Sequence, residues 1–340
     1  MSAVETLLDL LAGRRDAATL ALCEWDGVIG VARSEAMLAT LAHRLENAHL
    51  PTGVASLFAD QRAAAQVATK QALWEAEMAR RALVSERIEF VLLKGTAYAA
   101  AGLSCAEGRQ IGDLDILVPV HDIGRAENEL LEAGWEWVKC DPYDDAYYRE
   151  HMHELPPLIH KARDRMIDVH HTILPRTHRT TPDPLALVAD AVMTKGGFAV
   201  LAPADMACHC AAHLLADGDL QGGLRNLWDF HCLARDFAEA DPGFWGRLDA
   251  RAEKHGLRGT VHRTARLARD LYGARLPEGW DRRNPRDRWF QRRLCARDDW
   301  GRASNFALQQ AFYIRSHWLR MPPRMLARHL WTKWRKRAAR

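Results

Sequence analysis

Two aspartates stand two residues apart in an otherwise apolar stretch, RQIGDLDILV, at residues 109–118. Side chains alternate between the two faces of a β-strand, so Asp113 and Asp115 are expected to point the same way. Like charges at this spacing repel each other unless one carboxyl is protonated or a cation lies between them. Carboxylate oxygens favour Mg²⁺ or Mn²⁺ over a softer metal. The pair therefore predicts a metal site on a buried strand; the alternative is an edge strand whose acids are solvated, although edge strands usually alternate more cleanly.

A third acid lies in another apolar stretch, MIDVHH, where Asp168 is flanked by isoleucine and valine. Three carboxylates on adjacent strands form the ligand set of a two-metal phosphoryl-transfer site. His170 shares the face of Asp168 by alternation, which predicts a contact with substrate or phosphate. A buried histidine at the end of a strand is the alternative. His153, in HELPPL, is a weaker candidate for the same role.

A cationic half of the site is predicted by the stretch VLLKGT, where a short apolar strand ends at Gly95 and Thr96 before a helix. Backbone N–H groups at such a turn can face a phosphate, with Lys94 adding a positive charge. Arg109 could bridge phosphate oxygens through its planar fork. The alternative is that Lys94 and Arg109 are structural counter-ions of the acids. Together with the acidic half, these residues predict a site for a nucleoside triphosphate bound through Mg²⁺ or Mn²⁺.

The elements that must position these residues suggest three regions. Residues 1–84 carry helical periodicity throughout, including a long alanine-rich helix. Residues 85–178 predict strands and helices in the order β-α-β-α-β-β, the last two strands forming a hairpin around the polar turn ARDR. Residues 179–340 are helical again and close on a basic tail. The fold class is therefore α+β, a small catalytic core flanked by N- and C-terminal helical regions.

Bulk properties of the 340 residues indicate a globular protein: 48% are hydrophobic and 27% charged. The formal net charge of +3 is too small to indicate a nucleic-acid binder by itself. Seven cysteines without a CxxC pair favour reduced thiols over a disulfide framework. The N-terminal stretch has acids in its apolar part, unlike a secretory signal, and no apolar run reaches the roughly 18 residues of a membrane span. These features predict a cytoplasmic protein.

Two further patterns have ordinary structural explanations. The stretch CHCAAH at residues 208–213 places two histidines four apart, as in some zinc sites, but its cysteines lie on different sides of a helix. Because no second cluster stands nearby in sequence to complete four ligands, core packing is the favoured interpretation. Arg225 and Asp229, four residues apart, predict an ordinary helix-surface or inter-helix ion pair.

The C-terminal tail is strongly basic, since the last 25 residues contain eight Arg or Lys and no acid. A helix there would align Leu326, Leu330 and Trp334 in an apolar stripe with cations around it. Such a helix could lie on an anionic membrane surface, or bind RNA or an acidic partner. The alternative is a terminal helix docked by its stripe with a solvated basic face. The surrounding cations are Arg324, Arg328, Lys333, Arg335, Lys336 and Arg337.

The pattern VLLKGTAYAAAGLSCAEGRQIGDLDILV, followed by the acid in IDVHH, resembles the DNA polymerase beta type nucleotidyltransferase superfamily. It is most similar to bacterial nucleotidyltransferase family proteins, in which a strand ends in LKG and is followed by Arg and then DxDxLV. The similarity extends along most of the chain, through HELPPL and the later helical segments around CHCAAHL and LRNLWDFHCL.

The resemblance implies a mixed-sheet catalytic core in which Asp113 and Asp115 bind the metals. Asp168 would complete the site and help to deprotonate the nucleophile. Gly95 and Thr96 would occupy the place of a Gly-Ser pair that touches the triphosphate, with threonine here in place of serine.

The resulting hypothesis is a metal-dependent nucleotidyltransferase that uses a nucleoside triphosphate and releases pyrophosphate. One alternative is a non-catalytic protein on the same fold that binds a nucleotide or a partner. Another is a phosphotransferase that moves the γ-phosphoryl group from the same site. Nothing in the sequence distinguishes a small molecule, a peptide or protein, or RNA as the acceptor, and the base of the nucleotide is equally open.

Overall fold

The computed structural model describes residues 1–138, 142–282, 284–323, 325–327 and 331, and gives no side-chain description for 142–144 and 217. Four helices build the N-terminal region, as predicted for residues 1–84. The first begins with a capping box, in which the side chains of Ser2 and Glu5 each accept a hydrogen bond from the other's backbone N–H. The longest follows Pro51, whose fixed φ angle suits the start of a helix. The helices are α1 (Ala3–Leu11), α2 (Leu22–Ser34), α3 (Leu38–Arg44) and α4 (Thr52–Val84).

Within the described residues, seven short strands form one mixed sheet in the order β3-β4-β5-β2-β1-β7-β6. The central pair, β2 and β5, is parallel, whereas β1 runs antiparallel to β2. The predicted hairpin is confirmed, since β4 and β5 pair antiparallel on either side of the ARDR turn. The strands are β1 (Val91–Leu92), β2 (Leu114–Leu117), β3 (Trp135–Trp137), β4 (Leu158–His160), β5 (Met166–His170), β6 (Val192–Met193) and β7 (Ala199–Val200).

Three helices connect the first strands: α5 (Lys94–Ala100), α6 (Ile123–Glu132) and α7 (Pro142–His151). Helix α6 ends before Gly134, which adopts a left-handed φ of 102° that favours glycine. Strand β3 and helix α7 were not predicted from the sequence. The observed order in this region is therefore longer than the predicted β-α-β-α-β-β.

The stretch PLALVADAVMTKG, predicted to be helical, is only partly so. Helix α8 (Pro184–Ala189) ends early, and the chain continues into the hairpin β6–β7. Strand β7 then pairs parallel with β1. The sheet consequently takes two strands from the region predicted to be entirely helical, and the division at residues 84 and 178 stays a prediction.

The rest of the C-terminal region is helical, as predicted. Cys208, His209 and Cys210 are buried in its first helix, so the CHCAAH stretch packs in the core. Arg324, residues 328–330 and 332–340, and Cys140 lie outside the described residues. The predicted tail stripe of Leu326, Leu330 and Trp334, with its basic surroundings, therefore stays a prediction. The helices are α9 (Pro203–Ala212), α10 (Gly223–Ala240), α11 (Phe244–Lys254), α12 (Arg258–Tyr272), α13 (Asp287–Cys295) and α14 (Phe306–Arg320).

Buried apolar side chains from all three regions form one continuous core. Trp25 of α2 is fully enclosed there and packs edge-on against Phe58 of α4, with ring centroids 5.8 Å apart. Every residue of β2 is buried, so both faces of the sheet centre are covered. In the described part of the chain, no helix is both long and apolar enough to cross a membrane.

Candidate functional site

The two central strands bring the three predicted acids together. Asp115 and Asp168 are direct partners in the parallel pairing of β2 with β5, and Asp113 precedes Asp115 by one strand period. Carboxylate oxygens of all three lie within 4.8 Å of one another. Because β2 lies between β1 and β5, the alternative of a solvated edge strand is wrong. Asp113 is exposed, Asp168 is partly buried and Asp115 is 3% exposed.

Of the three acids, Asp168 is the one whose ionisation is most clearly unfavourable. Burial, together with the nearby carboxylates of Asp115 and Asp113, raises its pKa to about 7. Its Oδ1 atom is buried and has no hydrogen-bond partner among the described residues. A buried oxygen of this kind is ordinarily satisfied by a donor or a cation. A set of three carboxylates fits Mg²⁺ or Mn²⁺, so the residues present suit the ion that the sequence predicted.

Lys94 neutralises the most buried of the three acids. Its Nζ lies 2.5 Å from Oδ1 of Asp115. Burial alone would raise the pKa of Asp115, but the charge of Lys94 and the hydrogen bond from His170 outweigh it and hold that pKa well below its usual range. Lys94 adopts a left-handed φ of 48° at the junction of β1 with α5, a conformation unfavourable for a residue with a Cβ. The counter-ion role is thus present in the structure, and the predicted phosphate contact of Lys94 stays a prediction.

Replacing Lys94 with methionine is expected to lower the free energy of unfolding by about 2 kcal/mol, because it leaves the Asp115 carboxylate buried without its cation. The loss is smaller than for a fully enclosed pair, since the Lys94 side chain is 21% exposed and His170 still contacts Asp115. Chemical denaturation measures the change. Lys70→Met on the exterior of α4 is the control; an equal effect of both substitutions would contradict the argument.

His170 lies beside the acids, as strand alternation predicted. Its Nε2 is 3.0 Å from Oδ1 of Asp115, and only 1% of the residue is exposed. Burial lowers the pKa of the imidazole. In the described residues its hydrogen bond goes to Asp115; the contact with substrate or phosphate stays a prediction.

Gly95 and Thr96 form the first turn of α5 and are both buried. A Cβ on Gly95 would lie 2.8 Å from Nε of Arg109, so only glycine allows this close approach. The Thr96 hydroxyl is buried and has no hydrogen-bond partner among the described residues. The predicted contact of these two residues with a triphosphate is not tested by this geometry and stays a prediction.

Arg109 belongs to a buried ion-pair network that the sequence did not reveal. It pairs with Asp229 of α10, which also binds Arg225 at 2.7 Å. Arg225 in turn donates to Thr40 of α3 and to the carbonyl of Cys105. The predicted Arg225–Asp229 pair is therefore real but deeply buried rather than on a helix surface. A separation of 120 residues between Arg109 and Asp229 left no local sequence signal.

Glu154 is a neighbour of the site that the sequence analysis did not identify. Residue 154 forms an isolated antiparallel bridge with His170, which places its carboxylate beside the His170 ring. His153, Glu154 and His170 offer ligand atoms within 4.8 Å of one another, next to the aspartate cluster. The signal was present in HELPPL, but a single Glu in a proline-containing turn has no characteristic spacing.

A comparison with known families agrees with this geometry. A search of curated proteins found no match. The family model described as uncharacterised nucleotidyltransferase matches residues 22–273, which include the sheet, the acid cluster and the Arg109–Asp229 network. This match confirms the resemblance deduced from the LKG and DxDxLV motifs and indicates a transferase. Since it spans well over half of the 340 residues, the chain belongs to the uncharacterised nucleotidyltransferase family.

Proposed function

We propose that the protein transfers a nucleoside monophosphate from a nucleoside triphosphate to a hydroxyl or other nucleophile on an acceptor, releasing pyrophosphate. The observation that carries the proposal is the pairing of Asp115 with Asp168 in register, with Asp113 on the same face. Three carboxylates so close together are costly unless cations neutralise them. The family match supports the same reaction class.

Asp113, Asp115 and Asp168 would hold Mg²⁺ or Mn²⁺ as the metal cofactor. When bound, the metal supplies positive charge to the triphosphate oxygens and the leaving group. Asp168 accepts the proton of the acceptor hydroxyl as that oxygen bonds to the α-phosphorus. The bond from the α-phosphorus to the bridging oxygen breaks, and pyrophosphate leaves with the electron pair.

The remaining residues position the nucleotide. Lys94, Gly95 and Thr96 would line the triphosphate side of the site. Arg109 packs against Gly95, and His170 hydrogen-bonds to Asp115. Positioning and charge neutralisation then supply most of the rate enhancement. The acceptor is a small molecule, a peptide or protein, or RNA, and the cysteine pattern favours a cytoplasmic location.

The test is product analysis with the full-length protein, each of the four nucleoside triphosphates labelled at the α- or γ-position, and a panel of acceptors. We expect label from the α-phosphate on the acceptor and release of pyrophosphate, both abolished by EDTA. An Asp113→Asn chain controls for contaminating enzymes. Transfer of γ-label with formation of a nucleoside diphosphate would replace the proposal with a phosphotransferase. Binding without turnover of any acceptor would favour the non-catalytic alternative.

A further inference from the structure

A second group of metal-ligating side chains lies directly beside the three aspartates. Oε2 of Glu154 is 3.7 Å from Nε2 of His153 and 3.5 Å from Nδ1 of His170. The residues are enclosed: His153 is 7% exposed, His170 is 1% exposed, and the Glu154 side chain is 16% exposed. This group, here called the imidazole cluster, has nitrogen ligands that the aspartate cluster lacks.

The orientation of His170 determines what its second nitrogen can do. A neutral imidazole carries one N–H, and Nε2 faces a carboxylate oxygen of Asp115 at 3.0 Å. Since Asp115 can only accept while ionised, the proton of His170 lies on Nε2. Nδ1 then directs a lone pair at the Glu154 carboxylate, and no hydrogen bond to Nδ1 is found among the described residues. At 3.5 Å, Nδ1 of His170 and Oε2 of Glu154 are close enough to bind one cation together.

The geometry points to a second cation site, formed by His153 Nε2, Glu154 Oε2 and His170 Nδ1, for a borderline divalent ion such as Zn²⁺. Ligands about 2.1 Å from a tetrahedral ion lie roughly 3.4 Å apart, close to the separations observed here. Two imidazoles and one carboxylate are a common ligand set for such ions, with a further position open to water or substrate.

Asp115 completes the arrangement from the opposite side. A metal-bound histidine usually donates its other N–H to a carboxylate, which fixes the tautomer and strengthens the ligand. His170 meets this requirement through Asp115. Asp115 would thus serve both sites, facing the aspartate cluster and orienting the imidazole cluster. The imidazole cluster can bind a cation whether or not the protein transfers nucleotides, because its three ligand atoms belong to residues other than the aspartates.

The experiment measures Zn²⁺ affinity of the metal-stripped, full-length protein by competition with a chromophoric chelator. Millimolar Mg²⁺ is present throughout to occupy the aspartate cluster. We expect Glu154→Gln and His153→Ala each to weaken binding by about 100-fold or more. Asp168→Asn should leave the affinity unchanged, as should His151→Ala, which removes an imidazole two residues before His153 in sequence and outside the cluster. Circular dichroism and the thermal midpoint verify that each variant is folded, and the near-isosteric Glu154→Gln decides the test if His153→Ala fails to fold.

Co²⁺ substitution supplies an independent readout. Its visible absorption bands should show nitrogen ligation at four- or five-coordination in the wild type, and Glu154→Gln should abolish them. Zn²⁺ binding that is equal in wild type and Glu154→Gln would overturn the proposal. So would a loss of binding in Asp168→Asn as large as in Glu154→Gln, since the ion would then belong to the aspartates.

Discussion

Replacing Asp168 with asparagine is expected to abolish nucleotidyl transfer and, at the same time, to stabilise the metal-free protein. Turnover should fall by about 10³-fold or more, because losing several kcal/mol of charge stabilisation in the transition state corresponds to that factor. The fold should gain stability because the carboxylate of Asp168 is held against Asp115 and Asp113 at a cost. Asparagine has nearly the same shape and no charge. Opposite effects on activity and stability mark a residue selected for chemistry rather than for packing.

The stability difference should depend on pH in a defined direction. In the unfolded chain an aspartate has a pKa of about 3.9, whereas burial and its neighbours raise that of Asp168 to about 7 in the folded protein. The folded state therefore keeps the proton that the unfolded state has already lost, and the wild type is progressively penalised as pH rises from 4 to 7. The full penalty, up to about 4 kcal/mol, applies above pH 7 and disappears below pH 4.

Denaturation in EDTA at several pH values measures this difference between Asp168→Asn and wild type. The variant should be more stable at pH 8 and equal at pH 4. Mg²⁺ or Mn²⁺ should narrow the gap at pH 8, because it stabilises the ionised wild-type site. Asp164→Asn, in the turn of the same hairpin, is the control: it should change neither stability nor turnover, since asparagine tolerates the left-handed φ of 53° there. A pH-independent gap would refute the explanation.

The acid cluster was predictable because strand alternation is a local property. The two-residue period placed Asp113 with Asp115, and the same period placed Asp168 with His170. Their mutual contact also required that the two strands be neighbours in a register that pairs Asp115 with Asp168, which is not a local property. The hairpin β6–β7 was not predictable in this way, since two-residue strands carry no measurable alternation. The left-handed φ of Lys94 was not predictable either. A positive φ is ordinarily expected at glycine, so the sequence would assign it to Gly95 rather than to Lys94.

The ion-pair partner of Arg109 could not be predicted from the residues around it in sequence. The sequence predicts that Arg109, four residues before Asp113, contacts phosphate, and that contact stays a prediction. Its position beside Gly95 depends on a carboxylate 120 residues away in sequence. Only the packing of α10 against the core determines that partner. The same packing buries Arg225, which a helical i, i+4 pattern would place equally well on a surface.

Asp229→Ala is accordingly expected to destabilise the protein by about 3–5 kcal/mol, since it leaves two enclosed guanidinium groups without their carboxylate. The Asp229 side chain is 2% exposed, and the side chains of Arg225 and Arg109 are 7% and 15% exposed, so water cannot replace it. The free energy of unfolding in urea measures the loss.

A matched control lies on the same helix. Glu239→Ala removes an exposed carboxylate from the same helix and should change the free energy of unfolding by at most about 0.5 kcal/mol. If both alanine substitutions cost the same, the Arg109–Asp229–Arg225 network would not be what stabilises the packing of α10 against the core. If the network does stabilise this packing, the double variant Asp229→Ala, Arg109→Met should recover part of the lost free energy of unfolding. It removes one of the two guanidinium groups that Asp229→Ala leaves without a carboxylate. Recovery of stability without recovery of turnover would then show that Arg109, and the approach to Gly95 that it supports, is needed for the reaction and not only for the fold.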